Sequence, residues 1–304
     1  MNPVFEKARA FLYRNARPLE LALFRYFFEN GPQEDVMRAL AAYQNGDGGF
    51  GHALEADNWN PNSNPLHGSV AVGILNQIDW ADGNHPMIRR LVDWFASGAY
   101  FNGAGWELVI PSNSDYPHAP WWHPESESSC HTTYNGTAQI AGFLIRFAPR
   151  GSRGFDLGLR VASEAVAALD PDTLDSMHTC DSYVLMAQII EKAGATGLIA
   201  FDQLMAGLHR CVHRLIETDP SKWNAYVCKP SQFIRSRESV FYAENAGIAQ
   251  YECDFIENTQ LADGSWAITW DWQAYPEEWA VAKNWWKGQL TLQNLLYLKG
   301  MGRL

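Results

Sequence analysis

A seven-residue pattern occurs twice in this chain, once near each end. The two copies are Gln44–Phe50 (QNGDGGF) and Gln260–Trp266 (QLADGSW). Both read Gln, two residues, Asp-Gly, a small residue and then a large aromatic residue. Such self-similarity indicates an internal repeat, and a repeat restricts the fold strongly because each unit must bury its apolar face against a neighbour.

Short apolar helices rich in small residues are predicted after the copies. They lie at residues 68–75 after the first copy, at 136–144 after a degenerate copy (Asn102–Trp106), and at 288–296 after the second copy. Each begins with a glycine, and Ser69 is the expected N-cap of the first. Helical spacing of apolar residues predicts the remaining helices. These are residues 4–15, 18–29, 33–44, 87–95, 154–169, 181–193, 198–217 and 244–259.

Amphipathic helices alternate with helices that are apolar on nearly all sides, and no strand periodicity appears. A helix that is apolar all round must be buried by other helices. The alternation therefore predicts an all-α fold, an (α/α)6 toroid or barrel in which an outer ring surrounds an inner ring. No linker rich in Pro, Ser or charge interrupts the chain, so residues 1–304 are predicted to form a single domain.

Composition excludes several classes of function. The formal charge of -11 and the absence of a Lys/Arg run argue against a nucleic-acid partner. Five scattered cysteines without a CxxC pair favour free thiols in a reducing compartment. The first residues lack a signal-peptide pattern, and no apolar run approaches the roughly 20 residues of a transmembrane helix. The expectation is a soluble cytoplasmic protein with a small-molecule substrate.

The duplicated pattern resembles the QW repeat of the terpenoid cyclase and protein prenyltransferase superfamily, which includes squalene–hopene cyclases and prenyltransferase β-subunits. The resemblance covers residues 33–299, with two clear copies and one degenerate copy. It implies an α/α toroid, and the chain is short enough that a single toroid is expected. It also implies an apolar isoprenoid-type substrate in a central aromatic cavity, which the thirteen tryptophans could line.

The catalytic motifs of that superfamily are missing. The chain contains neither an Asp-x-Asp-Asp run nor an Asp-Asp-x-x-Asp run. The zinc ligands of prenyltransferases have a partial counterpart in His178, Cys180 and Asp181, but in the wrong order. No catalytic residue is therefore carried over from the family. No cofactor is predicted, and a metal stays open as an alternative.

Two carboxylates just after the first copy are the leading catalytic candidates. Glu55 and Asp57 stand two residues apart, which in an extended chain directs both side chains to one side. Over an apolar cavity, one carboxyl with a raised pKa would act as a general acid while the other stays ionised. The structural alternative is hydrogen bonding within the loop. His67, at the start of the next inner helix, is expected to face the cavity or simply to begin that helix.

A long loop supplies the predicted binding residues of the middle of the chain. Trp121, Trp122 and His123 would form a wall for a planar, sugar or isoprenoid ligand, or would stabilise a cation. The alternative is a loop folded onto the protein body. Tyr134 and Asn135 are placed at the cavity rim, where the next inner helix begins.

The remaining candidates lie further along the chain. Asp181 is expected at the start of an inner helix, as a binding residue or as a helix-start residue. Trp270, Asp271 and Trp272 follow the second copy, so Asp271 would face the Glu55–Asp57 loop as a third catalytic carboxylate. Tyr226, in the irregular segment 221–241, would cover the cavity mouth.

The sequence leaves three functions open. The first is an isoprenoid-binding enzyme with carboxylate acid catalysis. The second is a carbohydrate-active enzyme, a hydrolase or lyase that uses a carboxylate pair and tryptophan platforms. The third is a non-catalytic scaffold whose centre is plugged by large side chains such as Phe24 or Phe143.

Overall fold

A computed structural model describes residues 2–127 and 133–304 of the chain. Those residues form eleven α-helices and no β-strand, which confirms the all-α prediction. The helices are α1 (Pro3–Asn15), α2 (Pro18–Phe28), α3 (Gln33–Ala41), α4 (Pro65–Gln77), α5 (Pro86–Ser97), α6 (Thr137–Phe147), α7 (Arg153–Ala168), α8 (Met177–Lys192), α9 (Phe201–Leu215), α10 (Tyr242–Thr259) and α11 (Pro276–Gly300). None of them is long and apolar enough to cross a membrane.

Local hydrogen bonds place two helix starts elsewhere than predicted. Helix α4 begins at Pro65 and is capped by Asn64, whose side chain accepts a 2.7 Å hydrogen bond from the Leu66 amide. The prediction that Ser69 is the N-cap was therefore wrong. Helix α8 begins one turn before Asp181, with Ser176 as its N-cap. The prediction that Asp181 starts this helix was also wrong.

The chain divides into two compact units. One consists of the residues up to Ala42 together with Leu215–Leu304, and the other of Tyr43–Arg214. We call them the terminal unit and the middle unit. The expectation of one domain over residues 1–304 stays a prediction.

Three helices of the middle unit run side by side in the same direction. Near their N-terminal ends, the Gln139 side chain of α6 donates to the Ser69 carbonyl of α4, and the Gln139 amide donates to the Ser182 hydroxyl of α8. Near their C-terminal ends, the Asn76 side chain of α4 donates to Gln188 of α8. The first turns of α4, α6 and α8 therefore meet at one end of this unit, and α5 and α7 pack against α6.

In the terminal unit, α1 packs against α2 and α11, and α10 packs against α11. Phe24 stacks on Phe28 and contacts Phe5 and Tyr13 of α1. Phe24 therefore packs towards α1. In the middle unit, Phe143 contacts Phe95 of α5. Each of these two phenylalanines thus fills an interface between helices of its own unit.

The segment between α9 and α10 is irregular, as predicted for residues 221–241. Trp223 fixes it, because its indole N–H donates to the Glu217 carbonyl while its ring packs against Tyr251 and Phe255 of α10. Four of the predicted free thiols are buried and form no disulfide; they belong to Cys180, Cys211, Cys228 and Cys253. The fifth cysteine, Cys130, lies outside the described residues.

Both complete copies of the pattern make the same contacts, each within its own unit. The Gln44 side-chain amide donates to the carbonyls of Gly48 (2.9 Å) and Met87 (3.0 Å). Met87 is the second residue of α5. The Gln side chain therefore closes its own loop and also fastens that loop to a later helix, as expected for a structural motif.

The aspartate of each copy holds the turn. Asp47 accepts from the Gly49 amide and from the Ser63 hydroxyl, the latter at 2.6 Å. Asp263 accepts from both the amide and the hydroxyl of Ser265. In the first copy the hydroxyl comes from Ser63, 16 residues after Asp47, whereas in the second copy it comes from Ser265 within the turn itself. Because the two turns make the same hydrogen bonds, these aspartates stabilise the fold.

Candidate functional site

The candidate site of the middle unit lies where α4, α6 and α8 begin. Four predicted binding residues and His178 lie at this end, and two loops, residues 51–64 and 107–127, bring the other candidates of this unit next to each other. The five are His67 at the third position of α4, Tyr134 and Asn135 just before α6, and His178 and Asp181 in the first turns of α8. This arrangement follows from the parallel packing of the three helices.

A buried asparagine network joins the two loops. Asn60 and Asn64 both donate to the Asn113 side-chain oxygen, at 2.9 and 3.3 Å, and Asn113 donates to the Trp122 carbonyl at 2.9 Å. All three asparagines are fully buried. Backbone hydrogen bonds reinforce the join, including one of 2.8 Å from the Ala119 amide to the Asp57 carbonyl. Buried amides are costly unless paired, so this network fixes the relative position of the loops.

The two candidate carboxylates occupy different environments. The Glu55 side chain is half-buried, whereas Asp57 is only 3% exposed. The Asp57 amide donates to the Glu55 carboxylate at 2.7 Å, and the Glu55 amide donates to Nδ1 of His67 at 3.1 Å. Because Nδ1 of His67 accepts, the ring is neutral and carries its proton on Nε2. Glu55 is the more exposed carboxylate of this pair.

The two adjacent tryptophans have separate surroundings. They lie in a short 3-10 turn, Pro120–Trp122, where Trp122 is buried and Trp121 is half-exposed. His123 is half-exposed, and its ring stacks on that of His118 with centroids 5.4 Å apart. Trp121 and His123 can therefore line a site, while the Trp122 side chain packs inside the unit.

Helix α8 adds a half-exposed face of mixed polarity. His178, Asp181, Leu185 and Gln188 share it at helical spacing. Burial lowers the pKa of His178, which favours the neutral imidazole at neutral pH. Burial raises the pKa of Tyr134, whose ring centroid lies 5.8 Å from that of Tyr183. These groups can donate and accept hydrogen bonds at the end of the unit where α6 and α8 begin.

The metal alternative receives no support from the described residues. Cys180 points away from this face and is fully buried, and its thiol is hydrogen-bonded to that of Cys211 on α9. Among residues 2–127 and 133–304, no three His, Cys, Asp or Glu side chains are grouped so that they could hold a metal ion.

The predicted residues of the terminal unit divide into structural and exposed groups. Asp271 is exposed and accepts from the Gln273 amide and from the Trp279 indole N–H, both at 2.7 Å. Its carboxylate thus braces the start of α11. Trp272 is fully buried against Trp279. The expectation that Asp271 faces the Glu55–Asp57 loop stays a prediction, since these residues belong to different units.

An aromatic cluster lies beside Asp271. The Trp270 ring contacts Tyr226 and Trp286 edge-on, with centroid distances of 5.6 and 5.0 Å. Tyr226 is half-exposed, and Trp270 and Trp286 are partly exposed. The three rings can therefore offer a platform for an apolar or cationic group.

Sequence reasoning missed a buried ion pair of the terminal unit. Arg17 donates through Nε and Nη2 to the carboxylate of Glu20, with a shortest distance of 2.6 Å. The Arg17 guanidinium also lies 5.5 Å from the centroid of the Trp285 ring. Both charged residues are buried. One sequence signal could have indicated this pair: an Arg and a Glu stand three residues apart at the start of an apolar helix.

No protein-family model matches this chain, and neither a curated protein nor a solved structure matches it. We therefore infer function from the geometry within each unit.

Proposed function

We propose that the chain is an enzyme built as an (α/α)6 toroid of the terpenoid cyclase and prenyltransferase type. The duplicated pattern supports this architecture, because each copy clamps the first turn of an amphipathic helix through the same glutamine hydrogen bonds. The parallel row of α4, α6 and α8 in the middle unit is also what an inner ring requires.

The proposed active site is the end of the middle unit where these helices begin. Glu55 acts as the general acid or base, since it is the carboxylate with solvent access. His67 holds the Glu55 backbone through its 3.1 Å hydrogen bond. His178, Asp181 and Tyr134 bind the substrate. Proton transfer by a positioned carboxyl group contributes about 10² to 10⁴ in rate, so loss of Glu55 has a measurable effect.

The polarity of this end supports a choice of substrate class. Glu55, Tyr134, His178 and Asp181 are all partly exposed, and so is Trp121. An isoprenoid would displace the water around these polar groups and offer no hydrogen bond in its place, at a cost of about 1–3 kcal/mol for each hydrogen bond lost. A hydroxyl-rich substrate would pair them, and Trp121 would carry a sugar face. We therefore favour a carbohydrate-active enzyme.

The isoprenoid-type function, which the sequence put first, is here the second candidate, and the Tyr226–Trp270–Trp286 cluster favours it. The π faces of such rings stabilise developing positive charge, which cyclisation of an isoprenoid produces. Acid catalysis by Glu55, Asp57 or Asp271 belongs to this candidate too. It predicts that loss of Trp270 is more damaging than loss of Trp121.

One experiment separates the two candidates. The purified protein is incubated with a panel of oligosaccharides and with neutral and diphosphorylated isoprenoids, and products are followed by mass spectrometry. The favoured function predicts sugar turnover that falls at least about 10²-fold in Glu55→Gln. The same function predicts that sugar turnover persists in Asp271→Asn, which removes a carboxylate of the terminal unit and serves as the control. Isoprenoid turnover that depends on Trp270 would replace the first proposal with the second. If Glu55→Gln turns over both panels as fast as the unaltered chain does, Glu55 is not the general acid or base.

A further inference from the structure

One lysine of the terminal unit, Lys229, has a half-buried side chain beside an aromatic ring. Its Nζ lies 5.9 Å from the centroid of the Phe255 ring on α10. Among residues 2–127 and 133–304, the amine of Lys229 forms no ion pair and no hydrogen bond. An ammonium group loses hydration when it is half-buried, so its charged form is disfavoured unless a partner compensates.

Other lysines of the chain do have such a partner. Lys287 of α11 is also half-buried, but its amine pairs with the Asp263 carboxylate at 3.1 Å. Lys222 lies in the same irregular segment as Lys229, is exposed, and pairs with the Glu217 carboxylate at 3.0 Å. Within the described part of the chain, Lys229 therefore combines partial burial with the lack of an oxygen acceptor.

A buried carboxylate lies near enough to Lys229 to act on its charge, but it is engaged elsewhere. Glu252 of α10 is only 1% exposed and accepts from the amide and the hydroxyl of Ser231, at 2.7 and 2.6 Å. Ser231 belongs to a 3-10 turn, Pro230–Gln232, which follows Lys229 directly and packs against α10. The carboxylate thus holds this turn instead of pairing with the lysine.

These surroundings favour the neutral amine. Burial lowers the pKa of Lys229, and the charges of Glu252 and of the Cys228 thiol offset only part of that fall. Burial also raises the pKa of Glu252, which weakens the offset. A neutral amine has a free lone pair, and lysines that are desolvated in this way act as nucleophiles towards carbonyl groups.

We propose that Lys229 is a carbonyl-reactive amine that forms an imine with a small aldehyde. The nitrogen lone pair attacks the carbonyl carbon, a C–N bond forms as the C–O π bond breaks, and one amine proton passes to the oxygen. The carbinolamine then loses water, which carries away that oxygen with both amine protons and leaves a C=N bond.

An apolar surface beside the amine suits the rest of the aldehyde. The Phe255 ring is partly exposed, and the buried Trp223 ring packs edge-on against it with centroids 5.3 Å apart. The proposal is independent of the proposed activity, because Lys229 and Glu55 belong to different units.

The test is reductive alkylation of the full chain with acetaldehyde and cyanoborohydride, at about pH 7 and about pH 10. Cyanoborohydride reduces the imine to a stable secondary amine, and proteolysis with mass spectrometry gives the initial rate at each lysine. Lys222 and Lys283 are matched controls on the same chain. The hydrogen bond and charge of Glu217 raise the pKa of Lys222, and Lys283 is exposed to water.

At about pH 7 we expect Lys229 to react at least about tenfold faster than Lys222 or Lys283, because an amine whose pKa is lower by one has about ten times more of the neutral form. The ratio should shrink at about pH 10, where exposed lysines also lose their protons. Equal rates at the lower pH, or slow labelling of Lys229 at both pH values, would overturn the proposal.

Phe255→Ala tests the cause of this reactivity. Without the ring the amine is hydrated, so labelling of Lys229 at about pH 7 should slow at least about threefold. Tyr251→Ala is the control, since Tyr251 is an exposed residue of α10 whose ring also contacts Trp223, and it should change the rate less than about twofold. An unchanged rate in Phe255→Ala would also overturn the proposal. Circular dichroism verifies each fold, and the comparison of lysines within the unaltered chain stays decisive if Phe255→Ala does not fold.

Discussion

The side-chain amide of Gln260 donates a 2.9 Å hydrogen bond to the carbonyl of Val4, 256 residues earlier in the chain. Gln44 makes the same bond to Met87. Val4 and Met87 are each the second residue of a helix, α1 and α5. Helix α1 therefore packs beside the second copy of the pattern in the same way as α5 packs beside the first copy.

This relationship predicts that the glutamines contribute to stability. In Gln260→Ala the carbonyls of Val4 and Gly264 lose a donor, and a lost hydrogen bond in a partly buried place costs about 1–3 kcal/mol. Urea unfolding should show that loss. Gln203→Ala, at an exposed position of α9, is the control and should change stability by less than about 0.5 kcal/mol. Equal effects of the two substitutions would contradict a fastening role for Gln260.

The glycines of the pattern give a second prediction. Gly264 and Gly103 both have positive φ, so alanine at either position is strained by about 1–3 kcal/mol. Only at Gly264 would the new Cβ also overlap a backbone carbonyl, that of Lys7. Gly264→Ala should therefore lower the free energy of unfolding more than Gly103→Ala does. The prediction fails if chemical denaturation ranks the two variants the other way.

Helix positions could be predicted because the 3.6-residue spacing of apolar side chains is a local signal. The exact helix starts depend on which side chain forms the N-cap hydrogen bond. Pro65 and the Asn64 side chain set the start of α4, so Ser69 falls inside the helix. For α8, Ser176 caps the helix a full turn earlier than the sequence pattern suggested.

The candidate site was predictable only in part. The sequence placed His67, Tyr134 and Asp181 near helix starts, and parallel packing puts those starts together. It could not separate Trp121 from Trp122, because burial of one member of an adjacent pair depends on distant residues such as Asn113. The buried Arg17–Glu20 pair was missed for a related reason, since a charged residue is normally expected on the surface.

Asn113 provides the third prediction. Its side chain is fully buried, accepts from Asn60 and Asn64, and donates to the Trp122 carbonyl. Asn113→Ala leaves these partners unsatisfied and should destabilise the chain by about 2–4 kcal/mol. Thermal or urea unfolding measures this loss.

Asn62→Ala is the matched control for that substitution. Asn62 is exposed in the same loop, and its side chain makes only a long, 3.4 Å contact with the Ser112 hydroxyl. The control should keep nearly full stability. If Asn113→Ala unfolds at the same denaturant concentration as Asn62→Ala, the network does not hold the two loops together.

The last prediction concerns Glu252, a carboxylate buried in the terminal unit. It accepts from the Ser231 amide at 2.7 Å and from the Ser231 hydroxyl at 2.6 Å. Burial raises the pKa of Glu252, and the hydrogen bonds from Ser231 and the charge of Lys229 offset only part of that rise. The folded chain therefore holds a proton on this group more tightly than the unfolded chain does.

The sign of the pH dependence follows from this difference. The stabilising contribution is complete below the ordinary pKa of a glutamic acid and is lost as pH rises through the higher pKa of the folded chain. A glutamine cannot lose this proton. The stability advantage of the unaltered chain over Glu252→Gln should therefore shrink with rising pH, by at most about 1.4 kcal/mol per pH unit. Urea unfolding at several pH values measures that advantage.

Glu238→Gln serves as the control with the opposite sign. Hydrogen bonding from Ser236 lowers the pKa of Glu238, so any contribution of this exposed carboxylate is lost as pH falls. An advantage over Glu252→Gln that is constant with pH, or that grows as pH rises, would show that Glu252 is held ionised in the folded chain. The Ser231 hydrogen bonds would then outweigh the cost of burial.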